Sequence, residues 1–336
     1  MNIAFIRIDP RWIYHLERNP ALSQEYKMYI GQVTVPDEIS SSVNKGWDFI
    51  FHKADKIDAA KARAELKFWF EHHHITHVVT CQRLLWYSEM VESLCQELNL
   101  PLTWCELFFD NRIIMDRSGL QYCEKNDLHF ESVGTLEDPL FPSATRWTQP
   151  ELAAPTLLYK ACRVESSDDD VVIVLGQTPY DMSLREYPQV CYEQWMDDLF
   201  NSNPKTKFMF KHHPSCETLA AKRYPNVFDI HANLVSLFNA FDRFASYSST
   251  TIFEGLIRRK KFVTGGYHFC SGKGLTIEPG ITGTYLSGIT EQLKAHVIPE
   301  EALQRRLWFI CNRYTVPLSS PRLVDRITLS SEEFFK

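Results

Sequence analysis

A chain of 336 residues, 44% apolar and 23% charged, is long enough for two domains of roughly 150 residues, each with its own core. Its formal charge of −6 argues against a broad nucleic-acid surface, which needs clustered lysine and arginine, while leaving room for a local basic groove around a small anion. No run reaches the roughly 20 apolar residues that cross a bilayer, and the opening MNIAFIRIDPRW has no signal-peptide core. The nine cysteines show neither a CxxC pair nor a stapling pattern, so a reduced, cytoplasmic protein is expected.

In chain order, MNIAFIRI predicts a strand from its β-branched Ile3, Ile6 and Ile8. After a mixed region, IDAAKARAELKFWFEHHH has helical composition, with Ala62, Leu66 and Phe68 at broadly helical spacing. ITHVVTCQ then reads as strand, LLWYSEMVESLCQELN as helix and LPLTWCEL as strand. Such alternation marks an α/β layer on a largely parallel sheet. DRSG reads as a turn, and Asp110, Arg112 and Asp116 as a salt-bridged loop. Residues 123–165 are rich in breakers, and the acidic run 168–170 reads as the solvated approach to the next strand.

A second unit opens with the buried strand VVIVLGQ and continues with helix YPQVCYEQWMDDLFN, strand KFMFKHHP and short strand VFDIH. Helix NLVSLFNAF, strand RFASYSS, helix TTIFEGLIRR and strand KKFVTGG follow, before a helix-rich tail. The reading is an α/β protein with two Rossmann-like domains facing across a cleft, over residues 1–160 and 168–310, and a tail 311–336 that packs back on the first. Ligands of such sheets bind outside the carboxyl ends of the strands.

Several polar clusters fall at those ends. In LGQTPYDMSL, Gln177 and Asp181 follow a strand; Asp181 suits a nucleophile or proton acceptor in a cleft, and equally an Asx turn or helix cap. In KHHP, His213 can donate to an anionic oxygen where Pro214 breaks the ladder, and His212 faces the other way. In SYSSTTIFEGL, Ser248 and Ser249 lie between strand and helix, with Thr250 or Thr251 as alternative caps. Glu254, early in that helix, suits a sugar or ribose hydroxyl, and Lys273 in TGGYHFCSGKGLT is a positive contact beside the same edge. Glu106, just past a strand in the first half, is a candidate acid/base. No GxxxxGK[ST] loop is present, and no metal is required.

The order GQTPYDMSL, KHHP, SYSSTTIFEGL and TGGYHFCSGKGLT resembles the bacterial capsular-polysaccharide synthesis family that includes β-Kdo transferases, with ELFFDNRIIMDRSG matching its acidic segment. The resemblance spans roughly residues 100–276. It implies a GT-B-like fold and transfer of Kdo from CMP-Kdo to a glycan or glycolipid acceptor in capsule or lipopolysaccharide biosynthesis. It also implies an acceptor-side first domain and a nucleotide-sugar-binding second domain. On this resemblance Asp181 is the nucleophile of a retaining double displacement and Glu106 the acid/base. Gln177, His213, Pro214, Ser248, Ser249 and Glu254 fall on the donor site. No cofactor is implied beyond CMP-Kdo as donor substrate, and no nucleic-acid partner. Peripheral contact with the inner membrane or with polysaccharide assembly proteins is compatible. The alternatives are a CMP-sialate or other nonulosonate transferase, and a catalytically inactive nucleotide-sugar-binding partner of an assembly complex.

Overall fold

The computed structural model describes residues 1–6, 16, 19, 27–31, 59–81, 86–108, 112–117, 171–177, 191–213, 223–279 and 285–329. Asp181, Pro214, the acidic run 168–170 and residues 123–165 lie outside the described residues. The chain divides into two compact units, Met1–Val133 with Ile310–Lys336, and Gly134–Phe309.

Among the described residues, the first unit carries six strands: β1 (Asn2–Ile6), β2 (Lys27–Gly31), β3 (His77–Cys81), β4 (Leu102–Leu107), β5 (Arg112–Asp116) and β11 (Thr315–Pro317). They lie in the order β2-β1-β3-β4-β5-β11, the first four parallel and the last two antiparallel. Strand alternation splits the apolar residues between two cores. Ile3, Phe5, Val79 and Cys105 pack with Leu323, Val324 and Ile327 of helix α8 (Leu323–Thr328). Ala4, Ile6 and Val78 pack against Leu66, Trp69 and Phe70 of helix α1 (Ala59–His72), and against Val91 and Leu94 of helix α2 (Trp86–Glu97).

The sequence predicts a largely parallel sheet and a salt-bridged loop at Asp110, Arg112 and Asp116; the structure places Arg112–Asp116 in an antiparallel strand, and Asp110 lies outside the described residues. RIIMD holds three apolar residues between charges, too short a run to announce a strand. Its partners come from both sides: Cys105 faces Met115, and Val316, some 200 residues on, faces Ile113. Arg112 is satisfied across that pairing, its Nε donating to Thr315 Oγ1 at 2.7 Å and its Nη2 to the Thr315 carbonyl at 2.9 Å.

The second unit holds β6 (Val171–Leu175), β7 (Lys207–Lys211), β8 (Val227–Asp229), β9 (Arg243–Ser246) and β10 (Lys261–Thr264). They form a wholly parallel sheet in the order β8-β7-β6-β9-β10. Helix α3 (Tyr192–Asn201) covers one face because Tyr192, Trp195, Met196 and Leu199 recur at the spacing of a single helical stripe. Helix α6 (Ile289–Ala295) adds Ile289 and Leu293 to the same core.

Helices α4 (Leu234–Ala240) and α5 (Thr251–Ile257) complete the unit together with α7 (Glu300–Phe309). The Asn233 side chain caps α4 by accepting the Ser236 N–H at 2.8 Å. Phe238, Phe244 and Phe262 form an aromatic run with centroids 5.0 and 5.3 Å apart. Gly255 lets α5 approach that run, since a Cβ there would lie 2.3 Å from the Phe262 ring. Beyond α7 the chain continues as a π-helical turn, Ile310–Tyr314, and then enters β11.

Candidate functional site

In the second sheet the strands, numbered by their order in the chain, run 3-2-1-4-5. The connections leaving β6 and β9 therefore diverge, opening a crevice at the carboxyl ends of these two neighbours. The residues that follow them are Gly176–Gln177 and Tyr247–Ser248–Ser249.

These ends are laced together. The Gln177 side chain spans the switch point: its Oε1 accepts the Ser248 N–H at 2.9 Å, and its Nε2 donates to Ser248 Oγ at 3.2 Å. The Gln177 backbone N–H donates to Tyr192 Oη at 3.0 Å, which fixes the β6 end to α3. Gly176 N–H donates to the Lys211 carbonyl at 2.9 Å, tying in β7. The Tyr247 carbonyl accepts Gly265 and Gly266 N–H at 3.2 and 2.8 Å, tying in the β10 end. Gln177 and Ser248 are both 2% exposed, so these bonds work in low dielectric, where geometry is held most firmly.

The two serines have different duties. Ser248 is engaged with Gln177 through both its N–H and its hydroxyl. Ser249 Oγ accepts from Thr251 N–H at 3.3 Å and from Thr251 Oγ1 at 2.9 Å, so Ser249 supplies the first turn of α5. Thr250, one of the alternative caps, stands at the N-cap position in helical conformation and makes no side-chain cap bond. Glu254 is half-buried in the first turn of that helix.

At the end of β7, His212 turns to the neighbouring strand, its Nε2 lying 2.6 Å from Asp229 Oδ1. His213, the next residue, is half-buried.

The segment after β10 carries a buried polar network that the sequence reading did not single out. Glu278, 1% exposed, accepts Gly272 N–H at 2.8 Å and the Thr276 hydroxyl at 2.5 Å. The His268 ring lies 3.3 Å from Thr276 Oγ1 through Nε2, and its Nδ1 accepts Cys270 N–H at 3.2 Å. Burial, helped by Arg306, lowers the His268 pKa to about 3, so the ring is neutral and Nδ1 is free to accept. Burial also raises the Glu278 carboxyl, against the pull of its two hydrogen bonds. The network pins the turn containing Lys273, where Gly272 has φ +72° and Gly274 φ +69°. The available signal was a histidine, a threonine and a glutamate among glycines after a strand.

Glu106 belongs to the first unit, on β4 opposite Ile114 of β5. Nearby, Tyr314 is fully buried, and its hydroxyl is pushed well above its ordinary pKa by burial and then by Asp116, with a smaller contribution from Glu106. Arg326 donates to the Tyr314 carbonyl at 2.7 Å and lies 5.5 Å from its ring. Glu106 therefore sits beside an ionisable cluster. Gln177, Ser248, Ser249, Glu254, His213 and Lys273 all belong to the second unit.

Residues 158–284, which include the switch-point residues, match the family of capsule polysaccharide biosynthesis proteins. Among solved structures, the chain is similar to the β-Kdo 2,7 transferase of Thermosulfurimonas dismutans KpsC, at 14% identity and a TM-score of 0.50, covering 100% of this chain and 97% of that one. It is also similar to the lipopolysaccharide outer core galactosyltransferase WaaB, at 9% identity and a TM-score of 0.53, covering 97% and 99%. The fold is GT-B. No curated protein matches the chain by sequence. Among the described residues of this GT-B chain, no helix is long and apolar enough to cross a membrane. No group of three or more His, Cys, Asp or Glu among them could hold a metal ion.

Proposed function

We propose that the chain is a glycosyltransferase that moves Kdo from CMP-Kdo to a surface glycan or glycolipid acceptor. The observation that carries this reading is the Gln177–Ser248 strut at the strand switch point, inside the segment that matches the capsule family and on a GT-B fold. A crevice at that position, held by buried hydrogen bonds, suits a ligand that needs fixed polar contacts.

The strut divides the labour. Gln177 and Ser248 hold each other and set the shape of the crevice. Ser249 accepts both bonds from Thr251, which leaves its own hydroxyl hydrogen to donate to a donor oxygen. His213 donates to the phosphate of the CMP leaving group, Pro214 directs the chain there, and Lys273 adds positive charge from the pinned turn. Glu254 accepts from a hydroxyl of the ribose or sugar.

In the reaction, the Asp181 carboxylate attacks the anomeric carbon as its bond to the CMP phosphate oxygen breaks, and CMP leaves as an anion. Glu106 then takes the proton of the acceptor hydroxyl, whose oxygen displaces Asp181, so the configuration is retained over two inversions. Donors already in place around the leaving phosphate stabilise its charge without reorganisation, an effect worth about 3–4 kcal/mol for a single donor in other enzymes.

The test is incubation of the purified chain with CMP-Kdo and a panel of glycan and glycolipid acceptors, reading CMP release and the anomeric configuration of the product. Transfer with retention is expected. A chain that neither binds CMP nor releases it from CMP-Kdo is not this enzyme, and a preference for CMP-sialate in the same panel would replace the donor. CMP-Kdo binding without turnover on any acceptor would favour the inactive assembly partner.

A further inference from the structure

One cation beside the crevice makes no ion pair among the described residues. Lys211 is the last residue of β7, paired with Leu175 at the end of β6, and its carbonyl receives the Gly176 N–H. Strand alternation separates its side chain from Phe208 and Phe210, which enter the α3 core, and places it on the opposite face of the sheet. The same edge row continues through Leu175 to Ser246, whose fully buried Oγ has no hydrogen-bond partner among the described residues.

The Lys211 ammonium is half-buried, and its one polar contact among the described residues is the His212 carbonyl at 3.4 Å, a long bond for a charged donor. Four other cations of this unit are paired. Arg259 and Lys260 each meet a carboxylate at 2.5 Å, and Lys294 and Arg305 do so at 3.1 and 3.0 Å. Burial lowers the Lys211 pKa, and no carboxylate among the described residues counters it. An ammonium drawn partly out of water without a counter-charge weakens the fold, and such a group persists where a bound anion completes it.

We propose that Lys211 is an anion contact of this crevice, its ammonium meeting the phosphate that joins nucleoside to sugar in the donor. The inference rests on the donor reading above and adds to it a charged partner from the strand next to the switch point. His213, two residues further on, approaches the same phosphate from the loop.

The experiment compares the wild-type chain with Lys211→Met, and with Lys207→Gln, an exposed lysine of the same strand, as the control. Binding of CMP, cytidine, CMP-Kdo and inorganic pyrophosphate is measured by calorimetry, and thermal unfolding is followed without ligand. The expected result is that Lys211→Met weakens CMP by about 10- to 100-fold, leaves cytidine unchanged, and unfolds at or above the wild-type temperature. Lys207→Gln should bind like wild type. Unchanged CMP affinity in Lys211→Met, or a lower unfolding temperature without ligand, would overturn the proposal. A loss confined to CMP-Kdo would assign the ammonium to the sugar carboxylate and overturn the phosphate contact. If the wild-type chain binds no CMP, the donor reading falls and pyrophosphate decides the lysine alone. Saturable binding lost in Lys211→Met would support an anion contact, and no wild-type binding would overturn it.

Discussion

Replacing Gln177 with leucine should separate the strut from everything around it. Leucine keeps much of the volume and removes the acceptor of the Ser248 N–H at 2.9 Å and the amide that donates to the Ser248 hydroxyl at 3.2 Å. An abandoned buried polar group costs ~1–3 kcal/mol, so two of them, partly relieved by relaxation, should destabilise the second unit by about 2–4 kcal/mol. Urea unfolding read by tryptophan fluorescence measures this, since Trp195 lies in the same core. CMP affinity should fall at least tenfold because the crevice loses its fixed width. Gln177→Glu is the companion variant. It still offers an acceptor to the Ser248 N–H but adds a negative charge beside the leaving phosphate, so CMP binding should suffer more than stability. A Gln177→Leu protein within 0.5 kcal/mol and twofold of wild type would refute the idea that the strut shapes the site.

Three further outcomes follow from other parts of the fold. His268 keeps a pKa of about 3 when folded against an ordinary 6.5, so below 6.5 the unfolded chain binds a proton that the folded chain refuses. Stability should therefore drop by ~1.4 kcal/mol per pH unit as pH falls, or about 2 kcal/mol by pH 5. Glu278, with its raised pKa, acts in the opposite direction, contributing stability at low pH that is lost as pH rises through its folded value. His268→Gln should thus flatten the acid limb of a melting-temperature profile, and parallel profiles would discount the network. Gly255→Ala places a Cβ 2.3 Å from the buried Phe262 ring, and urea unfolding should show a loss of roughly 1–3 kcal/mol or more. Asp181→Ala should abolish transfer from CMP-Kdo while sparing most of the CMP affinity, and full transfer by that variant would remove its nucleophilic role.

The second unit was largely legible in the sequence because its central strand β6 and the neighbouring β9 and β10 are buried on both faces. VVIVL reads as a central parallel strand, and the stripe Tyr192, Trp195, Met196, Leu199 reads as the helix that covers it. Ser248 was legible from its place between strand and helix. Its bond to Gln177 was not, since 71 residues separate the two and only the strand order makes them neighbours. In the first unit β5 and β11 escaped notice for the same reason. RIIMD and TVP are short, RIIMD has charges at its ends and TVP ends in a proline, and the two pair with each other across a long stretch of chain, RIIMD also with β4. The His268–Thr276–Glu278 network was hidden by composition: three polar residues in a glycine-rich segment suggest an exposed loop, and their burial depends on mutual hydrogen bonding.

The return of the chain to the first sheet through β11 also sets an order of assembly. Ile3 and Phe5 share a core with Val316, Leu318 and Leu323, so residues made early in this stretch of chain wait for residues made much later before their apolar face is covered. The second unit, whose strands all fall between Val171 and Thr264, has its whole sheet in hand first. Synthesis from the amino end therefore does not dictate that the amino-terminal lobe matures first. A chain made only as far as residue 314 would have every described strand of the second sheet but would lack β11 at the β5 edge of the first, leaving that edge open to pairing.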